Sequence, residues 1–263
     1  MPSAAQTLRV ELSEGVMHIT LNRPDVRNAM SMLMVEELLT AEREAVAEGA
    51  RMIVLRGSGG HFCSGGDIKD MNFNPAGADE ADPIAKVNAR FGELCLTYSR
   101  SRLPIIAVVE GAVMGGGFGL SCVADVVIAH DSVVFRLPET GLGIIPAQIA
   151  PFLVERLGYS EAKRLAVTGG KLDAEAALKV GLVHEVCVDE DALQSALNAQ
   201  ITQIRKGAPN AIAETKALIA RARLEPIESL IEPAASVFAK ASRSDEGREG
   251  MTAFIEKRPA SWV

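Results

Sequence analysis

The feature that most constrains this chain is a repeated order of short apolar run, glycine-rich loop and helical segment. Residues 52–55, 104–109 and 126–129 are continuous apolar runs, which are typical of strands covered on both faces of a sheet. The first two runs lead into glycine-rich loops at 57–66 and 111–119. This order predicts parallel strands joined by crossover helices, and therefore an α/β fold.

The last third of the chain has a different character. From residue 161 onward the sequence is rich in alanine and predicts helices, with breaks near Gly169, Gly181 and Pro209. We therefore expect a core at 1–200 that carries the site, and a C-terminal helical region at 201–263 that serves assembly. Residues 72–85 have weak periodicity, which favours a mobile loop or a short helix.

Charge and cysteine spacing exclude several classes of protein. The chain has 34 acidic and 27 basic residues and a formal net charge of −7, which argues against a nucleic-acid partner. No uncharged apolar run reaches the roughly 20 residues of a membrane span, and the N-terminus does not resemble a signal peptide. The four cysteines are widely spaced, which predicts reduced, packed thiols in a cytoplasmic protein.

The two glycine loops are the first candidates for chemistry, because each lies between a buried strand and a helix. One loop ends at Gly65, Gly66 and Asp67, with Asp67 as a helix cap, and the other contains residues 115–117. Backbone N–H groups at helix N-termini lack an internal acceptor, and two of them aimed at one point would form an oxyanion hole. Either loop alone could equally be a tight turn that needs positive φ.

Glu139 is the third candidate. It follows a predicted strand at 133–135 and precedes an apolar segment, so burial would raise its pKa and suit it to acid–base chemistry. An exposed loop carboxylate is the alternative. Zinc, serine-hydrolase and dinucleotide motifs are absent from the sequence. His61 and Asp125 are interpreted as a loop residue and a cap residue.

Taken together, these motifs resemble the enoyl-CoA hydratase/isomerase (crotonase) family. The matching segments follow in order across nearly the whole chain: 22–29, 61–71, 111–120, 135–146 and 252–258. The resemblance implies a ClpP/crotonase-like spiral of ββα units with a C-terminal helical trimerisation region. It also implies a homotrimer or a dimer of trimers.

The resemblance also implies the roles of individual residues. The backbone amides of Gly66 and Gly116 would bind the thioester oxygen of a coenzyme A substrate, with Glu139 as the acid–base group. No metal or redox cofactor is expected, because the thioester itself is the electron sink. Substrate-binding positions are predicted at Arg27, Ala29, Ser64, Gly65, Asp67, Ile68, Gly119, Arg136, Gln148 and Lys257.

The sequence departs from the family at one catalytic position. Familiar hydratases carry two glutamates; Glu139 matches the second, but Gly119 stands where the first should be. We expect Gly119 to remove a charge and to open volume for a branched, carboxylated acyl group. Arg136 and Gln148 are expected to hold that carboxylate, and Arg27 and Lys257 the nucleotide phosphates.

Residues 136–152 are similar to hydratases of branched, carboxylated enoyl-CoAs. Isohexenylglutaconyl-CoA, from the breakdown of acyclic terpenes such as citronellol, is the first candidate substrate, and 3-methylglutaconyl-CoA is the next. General enoyl-CoA hydration, double-bond isomerisation and decarboxylation are alternative reactions. An inactive family member and an RNA-binding relative are alternatives from other classes.

Overall fold

The computed structural model describes residues 5–70 and 82–263. The loop or short helix expected at 72–85 lies mostly outside these residues, and a helix already begins at Pro83. The strands are β1 (Leu8–Ser13), β2 (Val16–Leu21), β3 (Met52–Gly57), β4 (Ile105–Val109), β5 (Ala112–Met114), β6 (Val126–His130), β7 (Val134–Arg136), β8 (Lys171–Leu172) and β9 (Glu185–Cys187). The α-helices are α1 (Met32–Ala47), α2 (Pro83–Arg100), α3 (Gly116–Cys122), α4 (Ala150–Thr168), α5 (Ala174–Lys179), α6 (Glu190–Arg205), α7 (Pro209–Ala222), α8 (Ile227–Arg243) and α9 (Asp245–Glu256).

The strands form two sheets. The larger has the order β1-β2-β3-β4-β6-β9 and is parallel except for the β1–β2 pair. The smaller has the order β5-β7-β8, with β5 parallel to β7 and β8 antiparallel to it. The three apolar runs correspond to β3, β4 and β6, which are adjacent and parallel. The predicted α/β class is therefore confirmed.

From β4 to β7 the chain contributes strands alternately to the two sheets. After β4 enters the larger sheet, β5 enters the smaller one and α3 follows; β6 and β7 repeat this order before α4. The first unit is abbreviated, since β3 is followed by a single residue, Cys63, that bridges to Val113 of β5. The described residues therefore contain three successive ββα-like units. In each unit, a loop follows the segment that belongs to the smaller sheet.

Helix α1 illustrates how the sequence pattern sets local structure. Ser31 caps the helix, because its side chain accepts a hydrogen bond from the amide of Met34 at 3.2 Å. Met34, Leu38 and Ala45 are fully buried, as their spacing on one helix face predicts. The helix therefore packs as its amphipathic pattern requires.

The chain forms two compact units. One comprises residues 1–99 and 105–197 and contains both sheets; the other comprises 100–104 and 198–263. In the second unit, Lys216 donates a hydrogen bond to the carbonyl of Leu103 at 2.7 Å. Helices α7, α8 and α9 lie in the C-terminal region, and its role in assembly stays a prediction. Across the described residues, none of the helices has the length and apolar character required to cross a membrane.

Candidate active site

Three loops from successive units lie side by side. The amide of Cys63 donates to the carbonyl of Ala112 at 3.0 Å, and the amide of Met114 donates to the carbonyl of Cys63 at 2.9 Å. The amide of Gly115 donates to the carbonyl of Arg136 at 3.1 Å. These bonds bring the segments predicted to carry chemistry to one edge of the smaller sheet.

The amides of Gly66 and Gly116 differ from those of their neighbours in these loops. The amides of Asp67 and Gly115, their neighbours, bond to the carbonyls of Met30 and Arg136 at 2.9 and 3.1 Å. The amides of Gly66 and Gly116 make no hydrogen bond with any described residue, and both glycines line one cavity. Unpaired N–H groups facing a shared cavity are the arrangement that an oxyanion hole requires.

Glu139 lines the same cavity, at the start of a 3-10 helix that spans Glu139–Leu142. Its Oε2 atom is buried and has no hydrogen-bond partner among the described residues. Its Oε1 atom would lie 2.9 Å from a Cβ placed on Gly115, whose φ of +49° also favours glycine. Burial raises the pKa of Glu139 above its ordinary value. A half-buried carboxyl group with one unpartnered oxygen is suited to proton transfer.

The cavity has a volume of about 210 Å³. Its walls are mainly apolar and come from α1, α2 and the segment 142–149. The residues predicted at the site that line it are Ser64, Gly65, Gly66, Asp67, Ile68, Gly116, Glu139 and Gln148. No lysine, arginine or histidine occurs among the described lining residues, so its only formal charges are the two acids.

Asp67 is neutralised by a residue of the neighbouring turn at 22–30. Arg23 approaches it at 2.8 Å and also donates to the carbonyl of Ala29 at 2.6 Å. Burial alone would raise the pKa of Asp67, but the hydrogen bonds from Arg23 and from the Lys69 amide lower it overall. The expected helix after Asp67 is a 3-10 helix, Ile68–Asp70. Asp67 therefore orders the loop, and Glu139 remains the acid with a raised pKa.

Asn28 is a structural residue of the site that sequence reasoning missed. It is fully buried, and its Nδ2 atom donates to the carbonyls of Ser58 and His61 at 2.9 and 2.7 Å. Its φ of +57° is a conformation that asparagine tolerates better than most residues. Asn28 thereby fixes the turn at 22–30 against the first glycine loop, and this turn carries the exposed Arg27.

The expectation that Gly119 opens volume for the substrate is wrong. Gly119 is buried in α3 and does not line the cavity. A Cβ at this position would lie 2.2 Å from Cγ2 of Ile149 and 3.8 Å from Cζ of Phe91. Ile149, which lines the cavity, therefore fills the space beside Gly119 with an apolar side chain.

The expected position of Arg136 at the cavity is also wrong. Phe135 points into the core with no exposed surface, so the next residue of β7 faces the opposite side of the sheet. The Nε atom of Arg136 donates to the carbonyl of Gly169 at 3.4 Å. Gln148 does line the cavity, and its Nε2 atom donates to Oδ1 of Asn88 at 3.0 Å.

The remaining predicted residues lie outside the cavity lining. Ala29 is half-buried next to Met30, which does line it, and the carbonyl of Arg27 accepts a hydrogen bond from the Ser64 amide at 3.0 Å. Lys257 is exposed in the second compact unit, where it ends α9 with a φ of +55°. Among the described residues, no group of three or more His, Cys, Asp or Glu side chains could hold a metal ion.

The sequence model of the enoyl-CoA hydratase/isomerase family matches residues 11–263. The chain belongs to this family. A relative from Rhodobacter capsulatus, named "Probable enoyl-CoA hydratase", is 35% identical over 259 residues and covers 96% of each chain. This enzyme is thus of the enoyl-CoA hydratase type.

Two solved structures share the fold. An enoyl-CoA hydratase/isomerase from Marinobacter aquaeolei is 49% identical, with a TM-score of 0.94 over 97% of this chain and 98% of that one. Pseudomonas aeruginosa AtuE is 48% identical, with a TM-score of 0.93 over 98% of this chain and 99% of that one. The predicted crotonase fold is therefore confirmed.

Proposed function

We propose that this enzyme adds water across the α,β double bond of an enoyl-CoA thioester. The observation that carries the proposal is the pair of unpaired amides, Gly66 and Gly116, in the cavity that also holds Glu139. As water adds to the β-carbon, negative charge develops on the thioester oxygen. Two N–H groups directed at that oxygen stabilise the resulting enolate.

Glu139 serves both proton transfers in this reaction. Its carboxylate accepts a proton from the attacking water as the water oxygen bonds to the β-carbon. The protonated carboxyl group then returns a proton to the α-carbon, and the enolate collapses to the saturated thioester. The raised pKa suits both roles, because a more basic carboxylate accepts a proton more readily at neutral pH. The thioester is the electron sink, so the reaction needs no metal or redox cofactor.

The acyl group that the proposal favours is branched and carboxylated, as in isohexenylglutaconyl-CoA. Sequence similarity at 136–152 supports it, and so do the apolar cavity walls, because each buried CH₂ contributes about 0.8 kcal/mol. The substrate carboxylate would accept hydrogen bonds from the side-chain amides of Asn88 and Gln148, which replace the role first expected of Arg136.

A panel of thioesters tests this proposal. Isohexenylglutaconyl-CoA, 3-methylglutaconyl-CoA and crotonyl-CoA are each incubated with the enzyme, and addition of water is followed by mass. We expect kcat/KM to be highest for the first, by about tenfold or more per added apolar group. Gln148→Leu and Asn88→Leu should lower it by about 10–100-fold for carboxylated substrates only, since a hydrogen bond to a charged group contributes about 1.5–3 kcal/mol. Equal losses on crotonyl-CoA would contradict the carboxylate assignment, and no hydration of any thioester would overturn the function.

A double-bond isomerase is the second candidate, and the packing of Ile149 favours it. An apolar side chain fills the space beside Gly119, which leaves Glu139 as the acid with a raised pKa. One carboxyl group can remove a proton from the α-carbon of a 3-enoyl thioester and return it to the γ-carbon. The discriminating observation is a product of unchanged mass with a shifted double bond, obtained faster than hydration.

Assembly and location complete the proposal. A trimer or dimer of trimers in the cytoplasm agrees with the family resemblance, and exposed apolar residues on α8 and α9 offer a surface for it. Ile227, Ile231 and Phe254 are examples, each at least 60% exposed. Sedimentation at several protein concentrations would test this, since a monomer at all of them would contradict it.

A further inference from the structure

The thiol of Cys63 lies between the two glycine loops and contacts both. Cys63 is fully buried, and its backbone forms the bridge to β5 described above. The amide of Gly65 donates to Sγ at 3.5 Å, and the backbone of Gly117 packs directly against this sulfur. The S–H group in turn approaches the carbonyl of Gly65 at 3.7 Å. One sulfur atom therefore contacts two loops that are about 50 residues apart in the chain.

The two glycines that contact the sulfur are the neighbours of the two glycines with unpaired amides. Gly65 precedes Gly66, and Gly117 follows Gly116. Consecutive peptide units share a Cα atom, so holding one N–H restricts the direction of the next. Glycine has unusually wide freedom in φ and ψ, so these loops need several restraints. The peptide units that carry the amides of Gly66 and Gly116 are held through their carbonyls, which accept from the amides of Met30 at 2.8 Å and Gly119 at 3.0 Å. The sulfur adds a side-chain contact that joins the two loops.

The packing around the sulfur is tight. A Cβ placed on Gly117 would lie 2.6 Å from Cβ of Cys63 and 3.1 Å from its sulfur, so glycine at 117 and cysteine at 63 fit each other. Burial raises the pKa of the thiol to about 11, and the group is therefore a neutral thiol at physiological pH. A nucleophilic role is excluded, because the thiolate is the reactive form.

We propose that Cys63 is the positioning residue of the oxyanion hole, and that its sulfur ties the two glycine loops so that the amides of Gly66 and Gly116 converge on the thioester oxygen. This inference rests on the proposed function, which assigns those amides to that oxygen. Sulfur suits the task by its reach, because an N–H···O bond is normally about 2.9 Å long. A serine hydroxyl could replace both contacts only if the loops moved closer together.

The test uses a chromophoric enoyl thioester, 4-dimethylaminocinnamoyl-CoA, whose absorption shifts to longer wavelength when its carbonyl group is polarised. The variants are Cys63→Ala and Cys63→Ser, and the matched control is Cys95→Ala, another fully buried thiol that does not line the cavity. Wild type and the control should give the same red shift. Cys63→Ala should lose most of this red shift. Its kcat for hydration should fall about 10–100-fold, with KM within about threefold of the wild type. This loss of kcat is smaller than the about 10²–10³-fold loss that follows removal of an oxyanion donor. Cys63→Ser should give an intermediate shift.

The outcomes separate this inference from the proposed function. If Cys63→Ala keeps the red shift and the kcat of the wild type, the inference about Cys63 is wrong, even if the variant is less stable. The proposed function would not be affected. Wild-type enzyme that binds the probe without any red shift would overturn the oxyanion hole and the inference with it. If Cys63→Ala does not fold, Cys63→Ser decides, because an undiminished shift would show that the sulfur does not position the amides.

Discussion

The contact between Gly119 and Ile149 gives a prediction whose size follows from the structure. A Cβ at 119 would lie 2.2 Å from Cγ2 of Ile149, whereas ordinary contacts are 3.4–4 Å, so the methyl group must retreat by at least 3.4 − 2.2 = 1.2 Å. Rotation of the side chain gives only partial relief, because Cβ of Ile149 is itself 3.0 Å away. Gly119→Ala should therefore lower the free energy of unfolding by about 1–3 kcal/mol, the usual cost of overpacking.

Shortening Ile149 removes the side chain that a Cβ at position 119 would meet. Ile149 is 3% exposed, so Ile149→Ala should cost about 2–5 kcal/mol, toward the lower end because the site opens into the substrate cavity. In the double variant, the methyl group introduced at position 119 occupies space that Cγ2 has left. We expect the double variant to cost about 1–2 kcal/mol less than the sum of the two single variants, a coupling typical of residues in contact.

Denaturant unfolding measures this cycle, with the protein concentration held constant because assembly shifts apparent stability. Gly141→Ala is the matched control, since a Cβ there would meet nothing within 4 Å and its φ is not positive. Its effect should add to that of Ile149→Ala within about 0.5 kcal/mol. If the effects of Gly119→Ala and Ile149→Ala on the free energy of unfolding also add within about 0.5 kcal/mol, the two side chains do not compete for space. That result would refute the reasoning.

The same cycle with glutamate tests its catalytic consequence. Gly119→Glu alone meets Ile149, so it should fold poorly or displace the cavity wall. Combined with Ile149→Ala, the new carboxyl group has room to approach the cavity. We expect the double variant to hydrate crotonyl-CoA faster than Ile149→Ala does, measured as kcat/KM. A folded double variant without this gain would contradict the idea that Ile149 occupies the place of a second acid.

The remaining predictions concern Glu139 and the coenzyme. Glu139→Gln should bind a CoA thioester normally but lose about 10²–10⁴-fold in kcat, and a loss of less than about threefold would contradict its role. A carboxyl group with a raised folded-state pKa stabilises the fold below its unfolded pKa, and this stability is lost as pH rises through the folded value. Denaturant unfolding should therefore find Glu139→Gln more stable than wild type at neutral pH and equal to it at low pH; the opposite order would contradict the raised pKa. Arg27→Ala and Lys257→Ala should raise KM for CoA thioesters, more so at low salt. The control Lys179→Ala, which changes an exposed lysine on α5, should leave KM unchanged. An unchanged KM in both Arg27→Ala and Lys257→Ala would mean that these residues do not bind the phosphates.

The parts of the site that sequence could predict are those set by local pattern. The apolar runs and the glycines that follow them mark where β3 and β4 end, and unpaired amides arise at those ends for the general reason that helix N-termini lack acceptors. The position of Glu139 was predicted in the same way, from the strand pattern that immediately precedes it. Each of these predictions needed only a short segment of chain.

The parts that sequence could not predict depend on contacts between distant segments, or on which face of a strand a residue occupies. Ile149 fills the space beside Gly119 from 30 residues further along the chain, and nothing near Gly119 indicates this. The direction of Arg136 depends on which residue of β7 faces the core, and a shift of one residue reverses it. Asn88 follows a segment of weak periodicity, so its pairing with Gln148 had no local signal.

Burial, rather than a neighbouring charge, sets the basicity of Glu139. Desolvation is the main cause of its raised pKa, and the other acid of the cavity, Asp67, is paired with Arg23 at 2.8 Å. A buried carboxylate oxygen without a partner costs stability. A water molecule or a substrate proton would give Oε2 the hydrogen bond that none of the described residues provides. The same feature that destabilises the unliganded site therefore favours the proton transfer from water, and perturbed carboxyl groups of this kind are characteristic of catalytic cavities.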